Sequence, residues 1–195
     1  MARGGFKNTL TPRQAGLKRR ARRGKQGETR VSLRLVAEQA EHRAAAERVL
    51  ERALGPGRLA KTSERVRERG ARFEPALSRV ALNASGEVVG LCRIWRIEVG
   101  APVYFLGPLA VDPKAQHAGL GAALIREVVA ACRAAGGGAI LLVGAEPFFR
   151  PLGFTRVPEA RVRLPGPIDP ARLLWLELRP GGLDHVAGEV TAPQA

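Results

Sequence analysis

The chain has 195 residues, 45% hydrophobic and 26% charged. That is globular composition with room for one domain of roughly 150 residues plus extensions. Its two cysteines, Cys92 and Cys132, are too few for a disulfide framework. No Cys/His cluster has zinc spacing, and no apolar run approaches the roughly 18–20 residues of a membrane span. A cytoplasmic protein without metal and without membrane partners is expected. The net charge of +14 is unevenly spread: residues 1–30 hold ten basic residues and one acidic, or +9, while the other 165 hold 22 basic and 17 acidic, or +5. The first segment contains Lys18-Arg19-Arg20-Ala21-Arg22-Arg23 and too few large apolar side chains to offset its ordering entropy, so it is expected to be a disordered arm. A solvated arm, a grip on nucleic-acid phosphates or acidic lipids, and a targeting signal are the readings open to it. The expected organisation is this arm, a domain over 31–180 and a Gly/Pro-rich C-terminal tail over 181–195.

Within the body, Val31–Val36 alternates polar and apolar residues and predicts a short strand. Ala37–Leu54 is rich in Ala, Glu and Arg and predicts a helix that ends at Gly55-Pro56-Gly57. Leu59–Arg69 predicts a second, charged helix anchored by Val66. Leu77–Asn83, Glu87–Glu98 and Val103–Asp112 predict a meander, with turns at Ala84-Ser85-Gly86 and Val99–Pro102. Gly119–Ala135 predicts an amphipathic helix, because Leu120, Leu124, Val128 and Cys132 recur at four-residue steps before Gly136-Gly137-Gly138. Ala139–Val143 is wholly apolar, as a strand buried on both faces would be. Pro147–Leu152 predicts a single turn, and Phe154–Leu164 with Leu173–Leu178 a closing pair of strands. A helix between strands 103–112 and 139–143 implies a parallel crossover there, and the rest of the mixed α/β sheet can be antiparallel.

The segment that carries chemistry is 103–121. Gly119 and Gly121 open a helix directly after a strand. Glycines leave the backbone uncovered, and the first-turn amides and helix dipole suit an anion such as a pyrophosphate. A dinucleotide fingerprint would place a third small residue where Leu124 stands, and an acid about 20 residues on, where the chain is apolar. The Gly-Lys-Ser/Thr of a nucleotide-binding P-loop is absent.

Gln116-x-x-Gly119-x-Gly121 after an apolar strand resembles the acetyl-CoA pyrophosphate loop of the GNAT N-acetyltransferase superfamily. Leu106-Gly107-Pro108-Leu109-Ala110-Val111-Asp112-Pro113, Ala139–Gly144, Gly153-Phe154, Leu174–Arg179 and Gly55–Thr62 extend the likeness. Over about residues 31–190 the whole is similar to the YhbS-like branch of bacterial GNAT proteins. The resemblance implies a mostly antiparallel central sheet flanked by helices, with a parallel pair that splays apart at the cofactor site. It implies acetyl-CoA as co-substrate and direct attack by a small-molecule or protein amine on the thioester, with no metal. Pantetheine would add like a strand along Leu109, Ala110 and Val111, and the pyrophosphate would lie on Gln116, His117, Ala118, Gly119, Leu120, Gly121 and Ala122. Pro108 cannot donate to a ladder and so marks a bulge or an unpaired stretch. Acceptor specificity is expected in helices 37–69 and the 155–175 hairpin.

Two positions depart from the family's pattern. His117-Ala118 stands where a small and a basic residue are common. Phe149 stands where relatives carry a tyrosine that protonates the departing thiolate. Glu98, near a strand end, and Tyr104, the only tyrosine, are weak candidates for proton transfer. Cys92 and Cys132 fall in apolar patterns and are expected in the core. A GNAT-fold acyl-CoA-binding or regulatory protein with little turnover, associated with nucleic acid through its arm, is the alternative to an enzyme.

Overall fold

The computed structural model describes residues 33–115 and 119–193. The basic arm and the loop residues Gln116, His117 and Ala118 lie outside the described residues. Strand β1 (Arg34–Ala37) leads through a short 3-10 turn into α1 (Arg43–Leu54). A second 3-10 segment, Pro56–Ala60, precedes α2 (Thr62–Glu68). Both predicted helices are therefore shorter than their sequence patterns. Gly55, at φ +65°, ends α1 where a side chain would be strained.

The strands that follow are β2 (Arg72–Phe73), β3 (Arg79–Leu82), β4 (Val88–Glu98) and β5 (Pro102–Val111). A 3-10 turn at Pro113–Ala115 precedes α3 (Leu120–Ala134), and β6 (Ala139–Val143) follows it. One turn of helix, α4 (Glu146–Phe149), leads to β7 (Thr155–Arg156), β8 (Val162–Arg163), β9 (Leu173–Glu177) and β10 (Gly188–Glu189). The main sheet has the order β1-β3-β4-β5-β6-β9-β7, with β2 added to β4. Its pairs are antiparallel except β5–β6, which α3 connects as a parallel crossover requires.

The sheet is covered on both faces. On one face Leu124, Ile125, Val128 and Cys132 of α3 are fully buried against Ile94, Ile140 and Leu174. The four-residue repeat of α3 is thus its buried stripe. On the other face Ala46, Val49 and Leu50 of α1 pack on Val80, Leu91 and Ala110, and Val66 of α2 joins the group around Phe105 and Leu141. Each large apolar side chain buried there contributes roughly 1.5–3 kcal/mol. β6 lies between β5 and β9, with Ile140 and Leu142 in one core and Ala139 and Leu141 in the other, and burial of both faces explains its unbroken apolar run.

Two expectations for the C-terminal third are corrected. Phe154–Leu164 is not one strand. It breaks at Pro158–Ala160, where Ala160 adopts φ +59°, and only Thr155–Arg156 pairs with β9. Val162–Arg163 pairs instead, in parallel, with β10 from the stretch expected to be a tail. That stretch returns to the body: Val186 and Val190 are buried, and Thr191 bridges Glu98. Gly100 makes this docking fit, since a Cβ there would lie 2.7 Å from the Ala187 carbonyl oxygen and 2.8 Å from that of His185.

Candidate active site

The site begins at a bulge. Cys92 pairs with Leu109 and Ile94 with Leu106, so Arg93 alone opposes Gly107 and Pro108. Pro108 therefore marks a bulge, as its missing N–H predicts. On its other side β5 pairs with β6 only at Tyr104–Ile140, Phe105–Leu141 and Leu106–Leu142. Beyond those residues the parallel strands part, and β6 turns to β9 and to Arg172, whose carbonyl accepts from Gly144 N–H at 2.9 Å. Asp112 N–H donates to Val89 at 2.8 Å. Backbone groups alternate along a strand, so those of Ala110 also face β4, and those of Leu109 and Val111 face the opening. Of the three β5 residues expected to meet a cofactor, Leu109 and Val111 present backbone donors and acceptors there. Ala110 is turned inward, with its methyl packed under α1.

The strand end is tied to the next loop by Asp112, which is almost wholly buried. Its carboxylate accepts from Lys114 N–H at 2.9 Å, from Arg52 Nε at 3.0 Å and from Arg52 Nη2 at 2.5 Å. The Lys114 backbone bond, aided by Arg52 and opposed by burial, holds its pKa below the ordinary carboxylate range. Past residues 116–118, Gly119 caps α3 at φ +87°. Ala123 N–H donates to the Gly119 carbonyl at 2.9 Å, so the amides of Leu120, Gly121 and Ala122 precede the helix's own ladder. A Cβ at Gly121 would sit 3.5 Å from Phe148 Cζ and 4.0 Å from Leu109 Cδ2. The first turn of α3 thus faces the same side chains that border the opening.

The opening continues into a cavity of about 690 Å³. One wall is Leu106–Leu109, Leu142, Val143, Phe148 and Phe149. The opposite arm is built by α1, the 56–60 turn, α2 and residues 167–172, within the two regions expected to set acceptor specificity. Phe149 is nearly buried; its ring stands edge-on to Phe148 at 5.0 Å and to Phe154 at 5.6 Å, over the backbone of Gly144.

The polar wall holds a chain of charges that sequence patterns did not bring together. Arg93 donates to Glu38 at 2.7 and 2.9 Å and to Glu47 at 2.5 Å, and Glu47 also accepts from Arg58 at 3.3 Å. Burial works against the Arg93 charge, but the bonds to Glu38 and Glu47 outweigh it and raise its pKa above the ordinary value. Arg67 is bonded to Glu64 and lies over the Trp95 ring, 5.8 Å from its centre. The signal for Arg93 was a charge that follows five apolar or small residues, Val88–Cys92, inside a strand.

Glu98 and Tyr104 are not brought to this cavity. Glu98 sits about 17 Å along β4 from the bulge, its backbone paired with Pro102 and Thr191. The Tyr104 ring packs against Gly137 and under Arg96, 5.6 Å away, and burial raises its pKa against the pull of Arg96. Cys92 and Cys132 are fully buried, as expected, and burial pushes the Cys132 thiol up to about 12 and the Cys92 thiol higher still. Among the described residues no group of His, Cys, Asp and Glu could hold a metal ion, and no helix is long and apolar enough to cross a membrane.

The architecture is thus a mixed sheet whose parallel pair splays apart, with a helix N-terminus at the opening. Residues 43–154 match the acetyltransferase (GNAT) family, more than half of the chain, and the chain belongs to that family. Among solved structures it is similar to the GNAT N-acetyltransferase YhbS from Escherichia coli, determined in complex with CoA, at 22% identity and a TM-score of 0.71 over 84% of this chain and 91% of that one. It is similar to a GNAT acetyltransferase from Brucella melitensis in complex with acetyl-CoA, at 26% identity and a TM-score of 0.60 over 85% and 97%. The Escherichia coli ribosomal-protein-S18-alanine N-acetyltransferase shares the fold at 18% identity and a TM-score of 0.54 over 75% and 94%. No curated protein matches in sequence.

Proposed function

We propose that the protein is an acetyl-CoA-dependent N-acetyltransferase that acetylates a primary amine by direct attack. The observation that carries this is the parting of β5 from β6 after Leu106 and Leu142, which exposes the backbone of Leu109 and Val111 beside a cavity whose lining residues Leu109 and Phe148 also border Gly121 in the first turn of α3. The pantetheine amides fit as an added strand on Leu109 and Val111, and the pyrophosphate fits the amides of 120–122. A backbone N–H of β5 past the bulge is placed to polarise the thioester carbonyl. The amine enters from the α1–α2 side. Its nitrogen forms the new bond to the acetyl carbon, the carbon–sulfur bond breaks, and the sulfur leaves as a thiolate that then takes a proton. The surplus amine proton passes to water. Isothermal titration with acetyl-CoA, followed by thiol release across a panel of amines, tests both parts. No heat of binding in a folded protein would refute the reading.

One observation favours a second reading. The wall where sulfur would lie is formed by Leu106, Leu142, Val143, Phe148 and Phe149, none of which can give a proton. An acyl-CoA-binding protein with little turnover would need no donor there. Tight acetyl-CoA binding without thiol release would select it.

A further inference from the structure

We propose that the acceptor amine also carries an anionic oxygen group, a carboxylate or a phosphate, and that Arg65, with Lys61 and Arg172, holds that group at the mouth of the acceptor cavity. This rests on the acetyltransferase reading of the same site and names its substrate class. Three carboxylates line the cavity, and each is already engaged: Glu47 by Arg58 and Arg93, Glu64 by Arg67, and Asp169 by the Ala171 N–H at 2.9 Å. The lining cations outnumber them. Lys61, Arg65 and Arg172 face the cavity with no carboxylate in reach among the described residues. A polycationic amine would meet surplus positive charge here, whereas an amine with an anionic end would find three cations against the one carboxylate, Asp169, that no cation pairs.

Arg65 differs from a freely waving surface arginine. Thr62 Oγ1 donates to the Pro167 carbonyl at 2.5 Å, clasping the start of α2 to the 166–167 segment. A Cβ built on Gly166 would lie 2.9 Å from Arg65 Nη1 and 3.3 Å from its Cδ. The missing side chain at 166 is the space across which the guanidinium lies, and it sets the planar fork at the lip before any ligand arrives. The backbone of Arg172 is fixed on the other side, where its carbonyl takes the Gly144 N–H at the end of β6.

The test compares matched acceptors by thiol release: β-alanine against β-alaninamide, and phosphoethanolamine against ethanolamine. The anionic member of one pair is expected to be favoured about 10- to 100-fold in kcat/KM, as for a charge-assisted bond to arginine, and the pair that responds tells carboxylate from phosphate. Arg65→Ala should abolish the preference through KM, Arg65→Lys should keep part of it, and Gly166→Ala should weaken it by displacing the guanidinium. Acetyl-CoA affinity by titration should be the same in all four proteins. Equal rates within both pairs, a preference that survives Arg65→Ala, or no turnover of any amine by a protein that binds acetyl-CoA would overturn the proposal. Loss of acetyl-CoA affinity in Arg65→Ala would overturn it too, by assigning these cations to the cofactor's own phosphates. Failure of wild-type protein to bind acetyl-CoA would instead refute the acetyltransferase reading beneath it.

Discussion

Replacing Gly121 with glutamate separates the fold from the cofactor site, because the two should respond with opposite sign. Gly121 has ordinary helical backbone, and a Cβ there makes van der Waals contacts of 3.5 and 4.0 Å with Phe148 and Leu109, so the side chain starts without a clash. Exchanging glycine for a good helix former near the start of α3, and adding a negative charge at the positive end of its dipole, stabilises by about 0.5–1 kcal/mol. The carboxylate then stands where the proposed pyrophosphate lies. At about 5 Å and an effective dielectric near 20, one like-charge pair costs about 3 kcal/mol, which is more than a hundredfold in affinity. Gly121→Ala is the control: it keeps the amides and adds no charge, so its affinity should fall by less than about threefold. The assay is titration with acetyl-CoA beside thermal unfolding of all three proteins. A Gly121→Glu protein that melts at or above the wild-type temperature and binds acetyl-CoA with unchanged affinity would place the pyrophosphate elsewhere.

Phe149→Tyr should raise turnover by about 10- to 100-fold below pH 8, and progressively less above it. A general acid is worth 10²–10⁴-fold when proton donation limits, but a thiol of pKa about 8.5 is already a fair leaving group; equal pH–rate profiles would show that another group donates. Asp112→Asn should cost about 1–2 kcal/mol in urea unfolding, because the bonds from Arg52 lose their charge while Lys114 N–H keeps an acceptor. Since the Asp112 pKa is lowered in the folded state, its stabilisation is present above the ordinary carboxylate pKa of about 3.9 and lost as pH falls through the lower folded value; the variant's acid limb should therefore be flatter, and an unchanged limb would contradict the assignment. Cys92 and Cys132, with raised thiol pKa values, should resist iodoacetamide at pH 8 in the folded protein and react on unfolding. Their protonated state favours the fold below the ordinary thiol pKa of about 8.5, and that contribution is lost as pH rises, so a Cys92→Ala, Cys132→Ala protein should lose less stability above pH 9 than the wild type.

What local pattern dictates was legible in the residues alone. The four-residue stripe Leu120, Leu124, Val128 and Cys132 is the buried face of α3, and Ala139–Val143 is β6 to the residue, because periodicity and an unbroken apolar run report burial directly. Pro108 announced the bulge, and Gly119 with Gly121 the helix start, because each removes a backbone donor or a Cβ that geometry would otherwise use. Family likeness supplied the mostly antiparallel sheet with its splayed parallel pair, and the strand order came only with the structure. The tertiary structure alone decided which distant residues meet. Residues 162–163 pair with 188–189 although both lie in Gly/Pro-rich surroundings, since two-residue strands have no periodicity to read. Glu98 and Tyr104 looked available for proton transfer, but distance along β4 sets Glu98 away from the cavity, and the Tyr104 ring packs against Gly137 under Arg96. Glu38 and Glu47 converge on Arg93 across as many as 55 positions of sequence, Arg58 joins through Glu47, and Arg65 lies over Gly166. Ion pairing of this kind depends on side-chain direction and on the register of β4 against α1, and neither is written in the spacing of charges along the chain.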